Sequence, residues 1–186
     1  MGSQRLIRSF KPVLLVIDIQ EKLLAHMFNR SEILRNAAIL IKGLRILEVP
    51  VLVFEQNPEG IGATHPELID ALGEEYRPIH KMSFSIMDEP AVHDVLSVPR
   101  DEDFYILIGI ESHVCLLQSA VLMKERGYRC GVVADCTGSR HQSDYLMALE
   151  RMRCADIDML TVEMALFDVL NSAENPKFKQ ILALVK

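Results

Sequence analysis

Short apolar runs alternate along this chain with longer stretches in which apolar residues recur every three or four positions. Continuous runs of this kind are typical of strands that are buried on both faces of a sheet. The predicted strands are residues 13–17, 51–54, 77–80, 104–108, 129–134 and 157–160. The longer stretches predict amphipathic helices. Because strand and helix alternate, the pattern predicts a three-layer, Rossmann-like α/β sandwich with a six-stranded, mostly parallel sheet and helices on both faces.

No internal repeat, low-complexity segment or linker interrupts this alternation. We therefore expect residues 1–186 to form a single domain, which is long enough to bury a substantial core. Residues 1–10 precede the first strand, and we expect them to be disordered or extended. This start carries Arg5 and Arg8 and no acidic residue, as organelle-targeting segments do.

The composition narrows the range of functions. Acidic residues outnumber basic ones by 26 to 20, which gives a net charge of −6 and argues against a protein that binds the nucleic-acid backbone. No apolar run is long enough to span a bilayer, so we expect no membrane partner. The four cysteines form no CxxC pair and are expected to be reduced thiols. These features predict a soluble intracellular protein, either cytoplasmic or mitochondrial.

Cys115 occupies a position that favours chemistry. It follows the predicted strand 104–108 and Gly109, and Ser112 is predicted to cap a helix whose first turn contains Cys115. A helix N-terminus favours the thiolate form of cysteine, and open α/β sheets bind ligands beyond the carboxyl ends of their strands. A buried structural cysteine is an equally strong interpretation of this stretch alone.

Asp18 and Lys81 also follow predicted strands directly. If these strands are central and parallel, the carboxylate, the ammonium and the thiol of Cys115 converge at one edge of the sheet. Asp18 could then act as a general base, while Lys81 stabilises a thiolate and lowers the pKa of Cys115. Taken singly, Asp18 could instead be a turn cap and Lys81 a solvated surface charge.

Five segments, in this order, resemble the isochorismatase-like cysteine hydrolases. They begin at Val16 (VIDIQ), Phe54 (FEQNP), Lys81 (KMSFS), Gly109 (GIESHVC) and Val133 (VADCTGSR). The resemblance covers nearly the whole chain, from about residue 11 to residue 170, and reaches a narrow branch that includes proteins named isochorismatase domain-containing and mitochondrion-associated ribonuclease.

The resemblance implies roles for individual residues. Asp18, Lys81 and Cys115 match the catalytic triad of the family. The bond from Ile110 to Glu111 would be a cis peptide, and the backbone N–H groups of Glu111 and Cys115 would stabilise an oxyanion. The matched segments also give the candidates for lining a substrate pocket, which are Gln20, Gln56, Phe84, Ile110 and His113.

Two departures from the family pattern refine this interpretation. Many members have threonine at the position of Glu111. Relatives that bind a metal carry an Asp-x-His…His cluster in the loop after the second strand, whereas this loop has only His65. His65 is therefore expected to be a capping or surface residue, with Thr64 and Glu67 forming a capping box, and we expect no metal and no cofactor.

The sequence thus predicts a hydrolase that cleaves a C–N bond of a small amide-type substrate through a covalent, thioester-like intermediate on Cys115. The presence of this cysteine points away from isochorismate hydrolysis, since members with that activity lack it. The resemblance also implies a homo-oligomer. The alternatives are a nucleic-acid-processing protein and an oligomeric binding protein with little catalysis.

Overall fold

A computed structural model describes residues 6–96 and 98–186, apart from the side chains of His93 and Asp94. Within these ranges six strands form one sheet in the order β3-β2-β1-β4-β5-β6, and every neighbouring pair is parallel. The strands are β1 (Lys11–Ile17), β2 (Val51–Gln56), β3 (Ile79–Lys81), β4 (Asp103–Ile110), β5 (Cys130–Gly138) and β6 (Asp158–Leu160). The predicted α/β fold is confirmed, and the described sheet is parallel throughout.

Most of the helices connect successive strands, the last two follow β6, and together they cover both faces of the sheet. They are α1 (Glu21–Leu24), α2 (Arg30–Ile46), α3 (Pro58–Ile61), α4 (Pro66–Leu72), α5 (Pro90–Leu96), α6 (Leu117–Glu125), α7 (Gln142–Cys154), α8 (Val162–Leu170) and α9 (Phe178–Val185). Short 3-10 helices lie at Ile7–Ser9, Gly73–Glu75 and Ile86–Asp88. In the described ranges, none of these helices is both long and apolar enough to cross a lipid bilayer.

The segment predicted to be disordered or extended, residues 1–10, lies partly outside the described residues. Its described part contains the 3-10 helix Ile7–Ser9, so these residues are helical rather than extended. Ile7 is buried, and its backbone N–H donates to the carboxylate of Asp168 at 2.6 Å. Burial of this apolar side chain, together with the hydrogen bond to α8, holds the 3-10 helix against α8.

The core consists of two apolar clusters, one on each face of the sheet. Helices α2, α4, α8 and α9 contribute to the first cluster, and α5, α6 and α7 contribute to the second. Successive residues of β1 alternate between them: Leu14 and Val16 belong to the first, and Leu15 and Ile17 belong to the second. All four are fully buried, which is why this strand reads as a continuous apolar run.

The two central strands, β1 and β4, approach each other closely where they end. A Cβ atom on Gly109 would lie 2.2 Å from the carbonyl oxygen of Ile17, and the φ of Gly109 is +154°. Only glycine tolerates both this contact and this backbone conformation. Gly109 therefore allows β4 to run directly beside the end of β1, and so brings Asp18 next to the turn that carries Cys115.

Candidate active site

Asp18, Lys81 and Cys115 meet at the carboxyl edge of the sheet. Asp18 directly follows β1, Lys81 is the last residue of β3, and Cys115 lies in a π-helical turn, Ser112–Leu116, that follows β4. Lys81 Nζ lies 2.7 Å from Asp18 Oδ2. The three residues are 0%, 2% and 6% exposed, respectively, so water has little access to their charges. The parallel topology thus brings together the three side chains that the sequence singled out.

The side chain of Lys81 reaches this site past β2, because β2 lies between β3 and β1. Its ammonium donates to Asp18 Oδ2 at 2.7 Å, to Gln56 Oε1 at 2.7 Å, and to the carbonyl oxygens of Ser83 and Phe84, each at 3.1 Å. Buried ammonium groups are tolerated only when they are paired and hydrogen-bonded. These acceptors hold Lys81 in one position, so the interpretation of Lys81 as a solvated surface charge is wrong.

Asp18 has one oxygen engaged and one available. Lys81 donates to Oδ2, whereas Oδ1 accepts no hydrogen bond from the described residues. Burial raises the pKa of Asp18, although the charge and hydrogen bond of Lys81 oppose this rise. Cys115 lies close enough for the thiol and the carboxylate to shift each other's pKa. Asp18 is therefore placed to exchange a proton with Cys115.

The electrostatics of Cys115 differ from the sequence-based expectation. Burial raises the pKa of its thiol to about 12, Asp18 adds to this rise, and Lys81 opposes it. Lys81 acts in the predicted direction, but the expectation that this pKa falls overall is wrong, because removal of the thiol from water and the adjacent carboxylate outweigh the ammonium. The resting residue is a neutral thiol that needs a base to become a nucleophile.

The raised pKa leads to a testable expectation. Alkylation of Cys115 by iodoacetamide should keep accelerating, by about tenfold per pH unit from pH 7 to pH 10, because the thiolate is the reactive form and stays scarce below its pKa. A cysteine in a short peptide, with a pKa near ~8.5, should instead level off within this range. Mass spectrometry of the labelled peptide over this pH series provides the measurement, and a plateau for Cys115 below pH 8 would contradict the raised pKa.

The turn that carries Cys115 is not capped as predicted. Ser112 does not cap it, because the Ser112 hydroxyl bonds to Thr137 Oγ1 at 2.6 Å, and the residue at the N-cap position is Glu111. The carbonyl of Glu111 accepts from the N–H groups of Val114 at 3.1 Å and Leu116 at 3.3 Å, on either side of Cys115. The sequence could not show this, since a single π-helical turn of five residues is too short for its apolar spacing to distinguish it from an α-helical turn.

The backbone around Glu111 supplies an unused donor. The peptide bond from Ile110 to Glu111 is cis. Among the described residues, the Glu111 N–H donates to no acceptor. Glu111 is only 6% exposed, so this donor has little contact with water. An N–H that is unpaired and shielded from water beside Cys115 can bind an oxyanion.

The candidates for lining a substrate pocket occupy different environments. Gln20 is fully buried and ties the loop after β1 to β2, since it binds both the N–H and the carbonyl of Gln56. The Phe84 side chain is 55% exposed, and Ile110 is fully buried in the first core cluster. His113 is half-buried, and its Nδ1 lies 2.9 Å from Ser139 Oγ.

A cavity of about 670 Å³ opens beside Lys81. It is lined by Asn57, Pro58, Glu59, His80, Lys81, Met82 and Glu89. Asp18 and Cys115 do not line it. The His80 side chain is 61% exposed, and its Nε2 lies 3.6 Å from Glu55 Oε2.

The loop after β2 contains no metal-ligand cluster. His65 is the N-cap of α4, where its Nδ1 accepts from the N–H of Glu67 at 3.3 Å. The predicted capping box is wrong, because Thr64 is buried and instead bonds to Glu55 through its N–H and hydroxyl. Across the ranges that the structure describes, no group of three or more His, Cys, Asp or Glu side chains could hold a metal ion.

Comparison with known proteins identifies the family of this chain. The isochorismatase domain model matches residues 12–164. The chain belongs to the isochorismatase family. It is 39% identical to isochorismatase domain-containing protein 2 of Danio rerio, over 93% of this chain and 86% of that protein.

Solved structures share the fold of this chain. The structure of MAR1 ribonuclease from Caenorhabditis elegans is 35% identical, covers 97% of this chain and 92% of its own, and gives a TM-score of 0.88. An octameric hydrolase of unknown specificity from Escherichia coli shares the fold at 20% identity, with a TM-score of 0.83 over 98% of this chain and 89% of its own.

Proposed function

We propose that this protein is a cysteine hydrolase that cleaves the C–N bond of a small amide-type substrate. The observation that carries the proposal is the buried group of Asp18, Lys81 and Cys115, in which Lys81 engages one carboxylate oxygen of Asp18 and leaves the other available. A neutral thiol beside such a carboxylate has the arrangement that nucleophilic catalysis with a general base requires.

In the first half of the reaction, Asp18 takes the proton of Cys115 as the sulfur attacks the carbonyl carbon. A C–S bond forms, and the electron pair of the carbonyl moves to its oxygen, where the N–H groups of Glu111 and Cys115 stabilise the negative charge. The C–N bond then breaks as Asp18 returns the proton to the leaving nitrogen. The products of this half are an amine or ammonia and a thioester on Cys115.

In the second half, water attacks the thioester carbon and Asp18 takes a proton from that water. The C–S bond breaks, and the proton returns to the sulfur as the carboxylic acid leaves. Lys81 holds Asp18 in place and balances its charge in both halves. The Asp18 carboxylate therefore serves alternately as base and acid. Its raised pKa favours this role, because the proton must be accepted and released near neutral pH.

The test is incubation of the protein with a panel of small primary and secondary amides. We expect release of ammonia or amine, and a transient acyl adduct on Cys115 that intact-protein and peptide mass spectrometry detect after rapid acid quench. Cys154→Ala, which removes an exposed thiol, should behave like the unmodified protein. Turnover that survives in Cys115→Ala would refute the proposal.

Ribonuclease activity is a second candidate, because the structural relative from Caenorhabditis elegans at 35% identity carries that name. The net charge of −6 argues against strong binding of an RNA backbone. Incubating the same preparations with a labelled RNA oligonucleotide distinguishes the two. Cleavage that is lost in Cys115→Ala and in Asp18→Asn would favour the nuclease, whereas cleavage that persists in both indicates a contaminating enzyme.

We further propose that the protein assembles as a homo-oligomer. Met82 and Phe84, which follow Lys81 in sequence, are 70% and 55% exposed, and Leu146 and Met147 on α7 are 55% and 68% exposed. Exposed apolar groups of this size favour burial against another chain. Light scattering at micromolar concentration should give a mass at least twice 21.0 kDa, and a particle of 21.0 kDa would contradict this expectation.

A further inference from the structure

Glu111 and Arg140 form an ion pair with four N–H···O contacts close to Cys115. Arg140 donates to the Glu111 carboxylate from its backbone N–H at 3.0 Å, from Nε at 3.1 and 3.2 Å, and from Nη2 at 2.9 Å. The Glu111 side chain is 6% exposed, whereas that of Arg140 is 63% exposed. The pair joins the turn of Cys115 to the segment that follows β5. None of the sequence patterns used above predicts this contact.

The pair persists at neutral pH. Burial raises the pKa of Glu111, but the hydrogen bonds and the charge of Arg140 outweigh burial and hold it below its ordinary value. Glu111 therefore stays ionised, and a buried carboxylate whose two oxygens both bind one planar guanidinium has little freedom to rotate.

Three further hydrogen bonds join the end of β4 and the turn of Cys115 to residues 137 and 139. Thr137 Oγ1 donates to the carbonyl of Gly109 at 2.6 Å, so the hydroxyl of Ser112 is the donor in its own 2.6 Å bond to Thr137. His113 Nδ1 lies 2.9 Å from Ser139 Oγ. Three consecutive residues, 111–113, are thus each tied to a residue between positions 137 and 140, and only the first of these ties is ionic.

The ion pair with Arg140 holds Glu111, the residue whose backbone N–H has no acceptor among the described residues. The carbonyl of Glu111 is held by Val114 and Leu116, and its side chain by Arg140, whereas its N–H has no acceptor among the described residues. The held carbonyl and side chain fix the Cα and N atoms of Glu111, and the buried strand residue Ile110 anchors the other side of the peptide bond, so the direction of the N–H bond is set. A donor that is aimed in advance stabilises an oxyanion without the cost of reorganisation.

We propose that Arg140 is a positioning residue that aims the Glu111 N–H at the oxygen of the tetrahedral intermediate. This inference rests on the proposed cysteine hydrolase function, because it concerns the oxyanion that forms when Cys115 attacks a carbonyl. Arg140 acts through Glu111 and does not itself touch the reacting atoms.

Two reagents separate this role from a general structural one. Acetaldehyde labelled with ¹³C at its carbonyl carbon adds to the thiol: a C–S bond forms, the carbonyl electron pair moves to oxygen, and that oxygen takes the thiol proton. This product places an oxygen where the Glu111 N–H would bind it. Iodoacetamide alkylates the same sulfur by displacing iodide and places no such oxygen there, so its rate reports the thiol and Asp18 alone.

The variants are Arg140→Met, Arg140→Lys and, as a control, Arg129→Met, which breaks the exposed pair between Arg129 and Asp101. Arg140→Met should weaken acetaldehyde binding at Cys115 by about tenfold or more, measured by ¹³C NMR. The loss should be smaller than the ~10²–10³-fold that removal of a whole oxyanion donor costs, because the Glu111 N–H remains and is only less well aimed. Arg140→Lys should restore part of the loss, because a lysine supplies the charge without the planar fork. Iodoacetamide rates at pH 8.5 should change less than about twofold in all three variants, because the substituted side chains are exposed, their charges are screened by solvent, and none touches the thiol.

Unchanged acetaldehyde affinity in Arg140→Met would overturn the positioning role and leave the proposed hydrolase intact. A parallel loss with both reagents would also overturn it, because the variant would then have disturbed the whole site. If Arg140→Met does not fold, Glu111→Gln takes its place, since it removes the ionic tie while nearly preserving the side-chain shape. It should weaken acetaldehyde binding in the same way, whereas iodoacetamide should react no more slowly, because the Glu111 carboxylate raises the pKa of Cys115. Unchanged acetaldehyde affinity in this variant would likewise overturn the positioning role. If the unmodified protein forms no adduct on Cys115 with acetaldehyde, the proposed function itself fails and the positioning role fails with it.

Discussion

Replacing Cys115 with serine should lower turnover of an amide substrate by at least about 10³-fold, because serine lacks the sulfur nucleophile that the proposed mechanism requires. The fold should persist, since the two side chains are nearly the same size and the serine hydroxyl can donate to Asp18 Oδ1, which otherwise lacks a partner. We expect the free energy of unfolding to change by less than about 1 kcal/mol. Amine release and urea denaturation provide the two measurements.

Cys154→Ser is the matched control, because Cys154 is an exposed thiol at the end of α7. It should change neither turnover nor stability. If Cys115→Ser instead lowers the stability strongly while turnover by the folded fraction is unaffected, Cys115 is a structural cysteine and the proposed mechanism is wrong.

Removing the charge of Lys81 should cost about 3–5 kcal/mol of folding free energy, because Lys81→Met leaves the Asp18 carboxylate buried without its counter-charge. Both side chains of this pair are 0% exposed, so water cannot replace the lost interaction. Carbonyl oxygens of Ser83 and Phe84 lose a donor as well. Urea denaturation followed by circular dichroism measures the loss, and the double variant Asp18→Asn/Lys81→Met should recover part of it.

The loss should depend on pH in a defined direction. Without Lys81 the pKa of Asp18 rises further, so the folded state binds the proton more tightly than the unfolded chain does. The deficit should therefore be smallest in acid and grow as the pH rises through the pKa of the folded variant. Lys124→Met, which breaks the exposed pair with Asp156, should cost no more than about 1 kcal/mol at any pH. An equal cost for both variants at neutral pH would count against a buried, essential pair at Asp18.

The fold was predictable because its strands are apolar on both faces. Leu14, Leu15, Val16 and Ile17 are all fully buried, so the run they form carries the signal of a central parallel strand directly. The strand order was not predictable in the same way. Whether β4 pairs with β1 or with another strand depends on contacts such as that between Gly109 and Ile17, which the local pattern does not encode.

Some features of the candidate site could be predicted from the sequence and others could not. Asp18, Lys81 and Cys115 could be found because each follows a strand, and parallel strands end at one edge of the sheet. The direction in which the pKa of Cys115 shifts could not be predicted, since burial and Asp18 raise it while Lys81 lowers it. The balance between them depends on how the site is packed. The contact of Glu111 with Arg140 was missed for the same reason, because the two residues are 29 positions apart and neither has a distinctive local pattern.

The order of the strands has a consequence for how the molecule acquires its chemistry during synthesis. Leu14 of β1 pairs with Ile106 of β4, and Lys81, at the end of an edge strand, lies 63 positions from Asp18. Contacts of such long sequence separation form slowly, because the loops between them must close first. A ribosome must therefore release most of the chain before thiol, carboxylate and ammonium can meet. In the growing chain we expect Cys115 to react with alkylating reagents as a cysteine in a short peptide does. It should change to the reactivity of the folded protein in one late step, when the strands of the sheet pair.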